Sequence, residues 1–108
     1  MTENILSEFL MQEANACKDW IKHSDRRSFE KFYIKVLANL RQIGISTLDT
    51  KSFYTIPLEK RLEELDRLES EHRLELEAAF IAVWLSSEMK PIREHYRKQS
   101  TLKLLQKM

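Results

Sequence analysis

Apolar residues recur at helical spacing along most of this chain. Between residues 26 and 43 they follow one another every three or four positions, from Phe29 through Val36 to Ile43. This period places them on one face of an α-helix. The same pattern, with weaker amphipathicity near the C-terminus, predicts helices at three further places. The four predicted helices cover residues 3–23, 26–43, 57–90 and 91–105.

Glycine and proline mark the predicted helix ends. Gly44 stands where the residue after a helix adopts positive φ, and it is the single glycine of the chain. Pro57 fits the first turn of the third helix, whereas Pro91 stops or kinks it, with Ser86-Ser87 as an earlier candidate break. The stretch 45–56 is ambiguous and has room for a short helix. The third helix is therefore expected to be the longest and to lie at the centre.

The second half of that long helix is apolar on every side. Its sequence from Ala78 to Leu85 contains eight apolar residues in succession. A helix that is apolar all round must be covered on all sides, so this segment predicts a central bundle helix, a subunit interface, or both. We expect a homodimer built on this segment. The candidate interface residues are Phe80, Ile81, Val83, Trp84 and Leu85.

Composition narrows the fold class to an all-α helical bundle. The 108 residues fit one domain, residues 1–108, and one Gly with two Pro is too few for the turns of a β-rich fold. A single cysteine, Cys17, excludes an internal disulfide and fits a reducing compartment. The longest apolar run is far shorter than the roughly 20 residues that cross a bilayer. With no signal-peptide pattern visible, we expect a cytoplasmic protein without a membrane partner.

Charge is balanced overall but unevenly distributed. Residues 59–77 contain eight acidic and four basic side chains, and residues 88–108 contain two acidic and six basic ones. The two segments attract each other, within one chain or across a dimer. Alternatively, the basic helix contacts nucleic acid or another anionic partner. The candidate contact residues for such a partner are Lys51, Arg93, Arg97, Lys98 and Lys103.

Three polar residues occupy positions in apolar stripes. Glu13 lies within the stripe of the first helix, and Glu69 and His72 lie within that of the third. A charge facing a core is costly unless it is paired or binds something. Glu69-x-x-His72 with a distant Glu resembles the ferritin-like carboxylate pattern, in which such groups hold two iron ions. A symmetric dimer would supply the full ligand set, so iron is a candidate cofactor. The alternative is a Glu–His hydrogen bond without metal.

The segment Arg67 to His72 also has the Arg-x4-His spacing. This spacing is similar to the signature of helical HEPN ribonucleases, whose Arg and His meet RNA at a dimer cleft. On an uninterrupted helix, however, five residues turn Arg67 about 140° away from His72. We therefore regard this spacing as weak support for a nuclease.

A third resemblance lies around the glycine. Gly44-Ile45-Ser46 after a helix is similar to the turn of helix-turn-helix DNA-binding proteins. Ile43, Ile45 and Phe53 match its apolar positions, and residues 47–55 would form the recognition segment. That segment offers one basic residue, Lys51, so phosphate contacts would have to come from the last helix. The alternative is a plain glycine cap.

The sequence favours a non-catalytic function. No glycine-rich phosphate loop, thiolate pair or nucleophile motif is present. We expect a small adaptor that binds another macromolecule, with a protein as partner and with self-association. The alternatives are a dimeric iron protein and a nucleic-acid-binding module.

Overall fold

A computed structural model describes residues 2–107, with side chains from residue 5 onward, and every regular element in that range is helical. The all-α fold predicted from the sequence is thus confirmed. The α-helices are α1 (Thr2–His23), α2 (Arg26–Gln42), α3 (Leu58–Glu71), α4 (Arg73–Trp84) and α5 (Lys90–Gln106), and two 3₁₀-helices cover Thr50–Thr55 and Ser87–Met89.

Local capping sets the ends of α2. Asp25 is its N-cap, and the carboxylate accepts a hydrogen bond from the Ser28 N–H at 2.8 Å. At the other end Gly44 has φ of 79°, and the N–H of Ile45 donates to the Leu40 carbonyl at 2.9 Å. The predicted glycine stop is therefore confirmed, since only glycine adopts this conformation without strain.

The single long helix predicted over residues 57–90 is wrong. His72 leaves the helical conformation (φ −133°, ψ 40°) and separates α3 from α4. Just before it, the Ser70 hydroxyl donates to the Asp66 carbonyl at 2.9 Å, a contact that bends helices. Leu68 of α3 and Leu76 of α4 are both buried. The break lets both segments turn their apolar faces into one core.

A second break follows at the earlier of the two predicted positions. Ser86 is extended (ψ 157°), and its hydroxyl donates to the Val83 carbonyl at 2.7 Å. The 3₁₀-turn that follows buries Met89, and Pro91 lies in the first turn of α5, where a missing N–H costs nothing. Pro91 thus belongs to the start of the last helix and does not end the third.

The core forms where α4 packs between α1 and α2. Its aromatic centre joins all three helices: the Trp20 and Phe32 rings lie 5.3 Å apart, and Phe32 stacks on Phe80 at 5.8 Å. Because α4 is apolar on every side from Ala78 onward, it can contact a helix on each of two sides. The buried apolar residues are Cys17, Phe32, Tyr33, Val36, Leu37, Leu40, Phe53, Leu68, Leu76, Ala79, Val83, Trp84 and Met89.

Candidate interaction surface

Helices α1 and α4 run antiparallel in a defined register. The indole N–H of Trp84 donates to the carboxylate of Glu13 at 2.9 Å. Cys17 lies one turn after Glu13 on α1, and Phe80 lies one turn before Trp84 on α4. The Sγ of Cys17 is 4.0 Å from the carbonyl oxygen of Phe80. Because α4 ends at Trp84, no residue of α4 lies opposite the part of α1 that precedes Glu13.

That uncovered part of α1, residues 5–12, is named here the α1 extension. It continues the apolar stripe that α1 buries further along. Its four stripe residues are exposed by 68% (Ile5), 59% (Leu6), 46% (Phe9) and 37% (Leu10). At 100° per residue Leu6, Phe9 and Leu10 lie on the same side as Glu13 and Cys17, and Ile5 lies at the edge of this face. The α1 extension therefore presents to solvent the face that, two turns later, forms the core.

A second apolar surface lies on the outer face of α4. Leu74 is 79% exposed, and Ala78 and Ala82 follow it at intervals of four residues, also exposed. Ile81 is half-buried beside them. This outer face contains one large exposed side chain and two small ones, whereas the stripe of the α1 extension contains four large ones, with exposed Met11 outside the stripe. The α1 extension is thus the larger apolar surface.

The residues predicted as a subunit interface lie mostly inside the chain. Trp84 is fully buried and Val83 nearly so, and Phe80, Ile81 and Leu85 are half-buried. The prediction that Trp84 and Val83 contact a partner is corrected by this burial, because the chain itself covers them. The sequence pattern identified a helix that must be enclosed, but could not tell whether the same chain encloses it.

Glu13 is a buried carboxylate that is paired within the chain. It is 6% exposed, and it accepts hydrogen bonds from Trp84 and from the guanidinium of Arg97. A buried charge is tolerated when its oxygens are bonded in this way. The polar residue in the apolar stripe of α1 is thus explained by a contact with α4 and α5, without a metal ion.

Helix α5 docks on the bundle through polar contacts and one aromatic ring. The guanidinium of Arg93 donates to the carbonyls of Trp84 and Ser86 at the end of α4, a favourable place for a cation. Tyr96 packs edge-on against the Trp84 ring at 6.0 Å and donates its hydroxyl to Asp19 at 2.6 Å. No residue of α5 is itself buried.

These contacts divide the basic residues predicted to meet an anionic partner. Arg93 and Arg97 are engaged inside the chain, whereas Lys98 and Lys103 are exposed. Lys51 is exposed too, but it lines a shallow groove between α2 and the first 3₁₀-helix, and Lys103 lines a different one. The structure therefore gathers no basic cluster from these five residues.

A second buried carboxylate, Glu64, was missed by the sequence analysis. It accepts hydrogen bonds from the hydroxyl and N–H of Thr47 at 3.1 and 3.2 Å and from Arg67 Nε at 2.7 Å. Burial alone would raise the pKa of Glu64, but these bonds outweigh it and hold the pKa below its ordinary value. The position of Glu64 one turn before Leu68 was the available signal. The cluster ties α3 to the loop after Gly44.

The predicted metal ligands do not converge. Glu69 is exposed, so the premise that it faces the core is wrong, and His72 forms the break between α3 and α4. Glu13 is bonded to Trp84 and Arg97, as described above. Among the side chains that the structure describes, residues 5–107, no group of three or more His, Cys, Asp or Glu is arranged to hold a metal ion.

The structure differs from the geometry expected for both nucleic-acid resemblances, the helix-turn-helix and the Arg-x4-His spacing. In place of a recognition α-helix the chain has a six-residue 3₁₀-helix, Thr50–Thr55, whose Phe53 is buried. Ile43, expected to pack inward, is 65% exposed. Arg67 pairs with Glu64, and one of its N–H groups donates to the Ile45 carbonyl at 2.8 Å. The glycine thus caps α2, and Arg67 holds the following loop.

An open groove of about 450 Å³ runs between α1 and α4. Cys17 and Phe80 lie at its floor, and Lys18, Glu69 and Arg73 are among the charged residues at its rim. Burial raises the pKa of the Cys17 thiol to about 12, so it stays protonated near neutral pH and is a poor nucleophile. Nothing in this groove forms a catalytic arrangement.

The described helices include none that is both long enough and apolar enough to cross a membrane. Comparison with protein-family models, with curated proteins and with solved structures yields no match.

Proposed function

We propose that this protein acts without catalysis, by binding another polypeptide through the α1 extension. The observation that carries the proposal is the exposure of four large apolar side chains on one face of a helix that is otherwise packed. Together they expose on the order of 400 Å², which lies within the range of about 300–600 Å² for the largest patch on a typical monomer, a patch that is often functional.

The shape of the surface supports a helical or helix-binding partner. Ile5 lies one turn before Phe9, and Leu6 lies one turn before Leu10. Amphipathic helices present anchors at this spacing to a hydrophobic groove or to another helix. Phe9 lies at the middle of the patch, and aromatic side chains at such positions contribute most to interface energies. The neighbouring carboxylate of Glu13 is already satisfied inside the chain, so it does not oppose binding.

Site-specific photo-crosslinking in cells tests this proposal. A photoreactive residue replaces Phe9 in one variant and replaces Glu63, an exposed position on α3, in a matched control. We expect position 9 to crosslink to a discrete polypeptide, either a second copy of this chain or a different protein, and position 63 to give none. A Leu6→Asp change on the same face should abolish the product. Equal yields at the two positions would refute the proposal.

A further inference from the structure

The α1 extension and the end of α5 have opposite charges. The α1 extension, residues 5–12, contains Glu8 and no basic residue. From residue 98 to residue 107, named here the α5 tail, the chain contains Lys98, Lys103 and Lys107 and no acidic residue. Glu8 and the three lysines are exposed. The two segments are therefore electrostatically complementary surfaces of the same chain.

The α5 tail also has an unpartnered apolar stripe. Leu102 is 58% exposed and Leu105 is 60% exposed, and with Lys98 they are spaced at i, i+4 and i+7 along one face of the helix. This face points away from Arg93 and Tyr96, the residues that dock α5 on its own bundle. The α5 tail can therefore contact a second molecule while α5 stays attached.

We propose that the partner bound by the α1 extension is a second copy of this chain, in a reciprocal homodimer. The α1 extension of each copy packs against the α5 tail of the other, so that each charged and apolar pair occurs twice, as twofold symmetry requires. This inference rests on the proposed function and names its partner. It moves the dimer contact from α4, where the sequence pattern predicted it, to the two helix ends.

The available area agrees with this arrangement. With the α1 extension and the Leu102–Leu105 stripe both covered, the dimer buries on the order of 1,200 Å² in total, near the lower limit of about 1,200–2,000 Å² for stable interfaces. Pairing of two α1 extensions alone would bury only about 800 Å², the size of a crystal-packing contact. It would also bring Glu8 of each copy toward the other.

Sedimentation equilibrium of the purified full chain, with apolar variants, tests the proposal first. We expect a mass of twice 12.9 kDa at high protein concentration. Phe9→Asp should raise the dissociation constant by more than roughly 30-fold, the effect of losing an interface anchor. The matched control is Leu74→Asp on α4, a more exposed leucine, which should leave the dimer intact. Circular dichroism checks that both variants keep their helix content.

Charge reversal tests which surfaces meet. Glu8→Lys and Lys98→Glu should each raise the dissociation constant by about 10-fold, because two attractive contacts per dimer become repulsive. An equimolar mixture of these two variants should recover nearly wild-type affinity, since one contact is then reversed on both sides and the other is unchanged. Glu63→Lys is the matched control and should have no effect.

Three results would overturn the proposal. A chain that stays monomeric at high concentration has another partner; in that case position 9 can still crosslink to a different polypeptide, and the proposed function stands. A dimer broken by Leu74→Asp but not by Phe9→Asp uses the outer face of α4. A mixture of Glu8→Lys and Lys98→Glu that dimerises no better than either variant alone excludes the reciprocal contact.

Discussion

Replacing Glu13 by alanine removes the carboxylate that joins three helices. Its two oxygens accept from Trp84 of α4 and from Arg97 of α5, while Glu13 itself belongs to α1. The substitution leaves the indole N–H of Trp84 without a partner in the core, since Trp84 has no exposed surface. Arg97 is half-exposed and can return to water.

The different surroundings of Trp84 and Arg97 determine how far Glu13→Ala lowers the free energy of unfolding. An unsatisfied buried donor costs about 1–3 kcal/mol, and this is the largest contribution. The lost ion pair adds at most about 1 kcal/mol, because the exposed side of Arg97 is screened by solvent. We therefore expect Glu13→Ala to lower the free energy of unfolding by about 1–4 kcal/mol in total. Glu13→Gln retains an acceptor for Trp84 and should cost about 1 kcal/mol.

Urea unfolding followed by tryptophan fluorescence and by circular dichroism, at one fixed protein concentration, measures these differences. Glu63→Ala on α3 is the control for the change in helix propensity, and it should alter the free energy of unfolding by less than about 0.5 kcal/mol. If Glu13→Ala were no more destabilising than Glu13→Gln, the bond to Trp84 would contribute nothing, and our account of the buried carboxylate would be refuted.

Two further predictions concern the loop after α2. The pKa of Glu64 is held below its ordinary value near 4.5, so the stabilisation by Glu64 is present above that pH and is lost as the pH falls through the lower folded-state pKa. Glu64→Gln should flatten this part of an acid titration of the free energy of unfolding. An unchanged profile would contradict the prediction. Gly44→Ala should cost about 1 kcal/mol in thermal unfolding, because φ of 79° strains a residue with a side chain although no atom lies within 4 Å of the added carbon. The control Asn39→Ala, at an exposed position on α2, should not destabilise the protein. Equal effects of the two changes would refute the role of Gly44 as the cap of α2.

The candidate surface could be predicted only in part. The stripe from Leu6 to Ile21 is visible in the sequence because its period is local. Whether a given turn of that stripe is covered depends on the length of its neighbour: α1 has 22 residues and α4 has 12. The exposure of Phe9 follows from that difference and from the register fixed at Glu13 and Trp84. Neither can be read from the period of one helix.

The break at His72 has a similar origin. Helical periodicity continues through residues 57–90, and no proline or glycine interrupts it, so the sequence predicted one helix. Leu68 and Leu76, on either side of His72, are both buried, and burial of this kind offsets the local cost of leaving the helix. This balance depends on contacts between residues that are far apart in the sequence. The periodicity of a single sequence carries no information about such contacts.

What the sequence by itself determined is therefore the helical class, the ends of α1 and α2, and the glycine at residue 44, because each depends on neighbouring residues and on backbone conformation. The tertiary structure alone decided that Trp84 is enclosed by its own chain, that Glu13 and Glu64 are paired, and that the apolar face of the α1 extension stays uncovered. These outcomes depend on which helix meets which, and over what length, because burial and pairing are properties of two surfaces in contact.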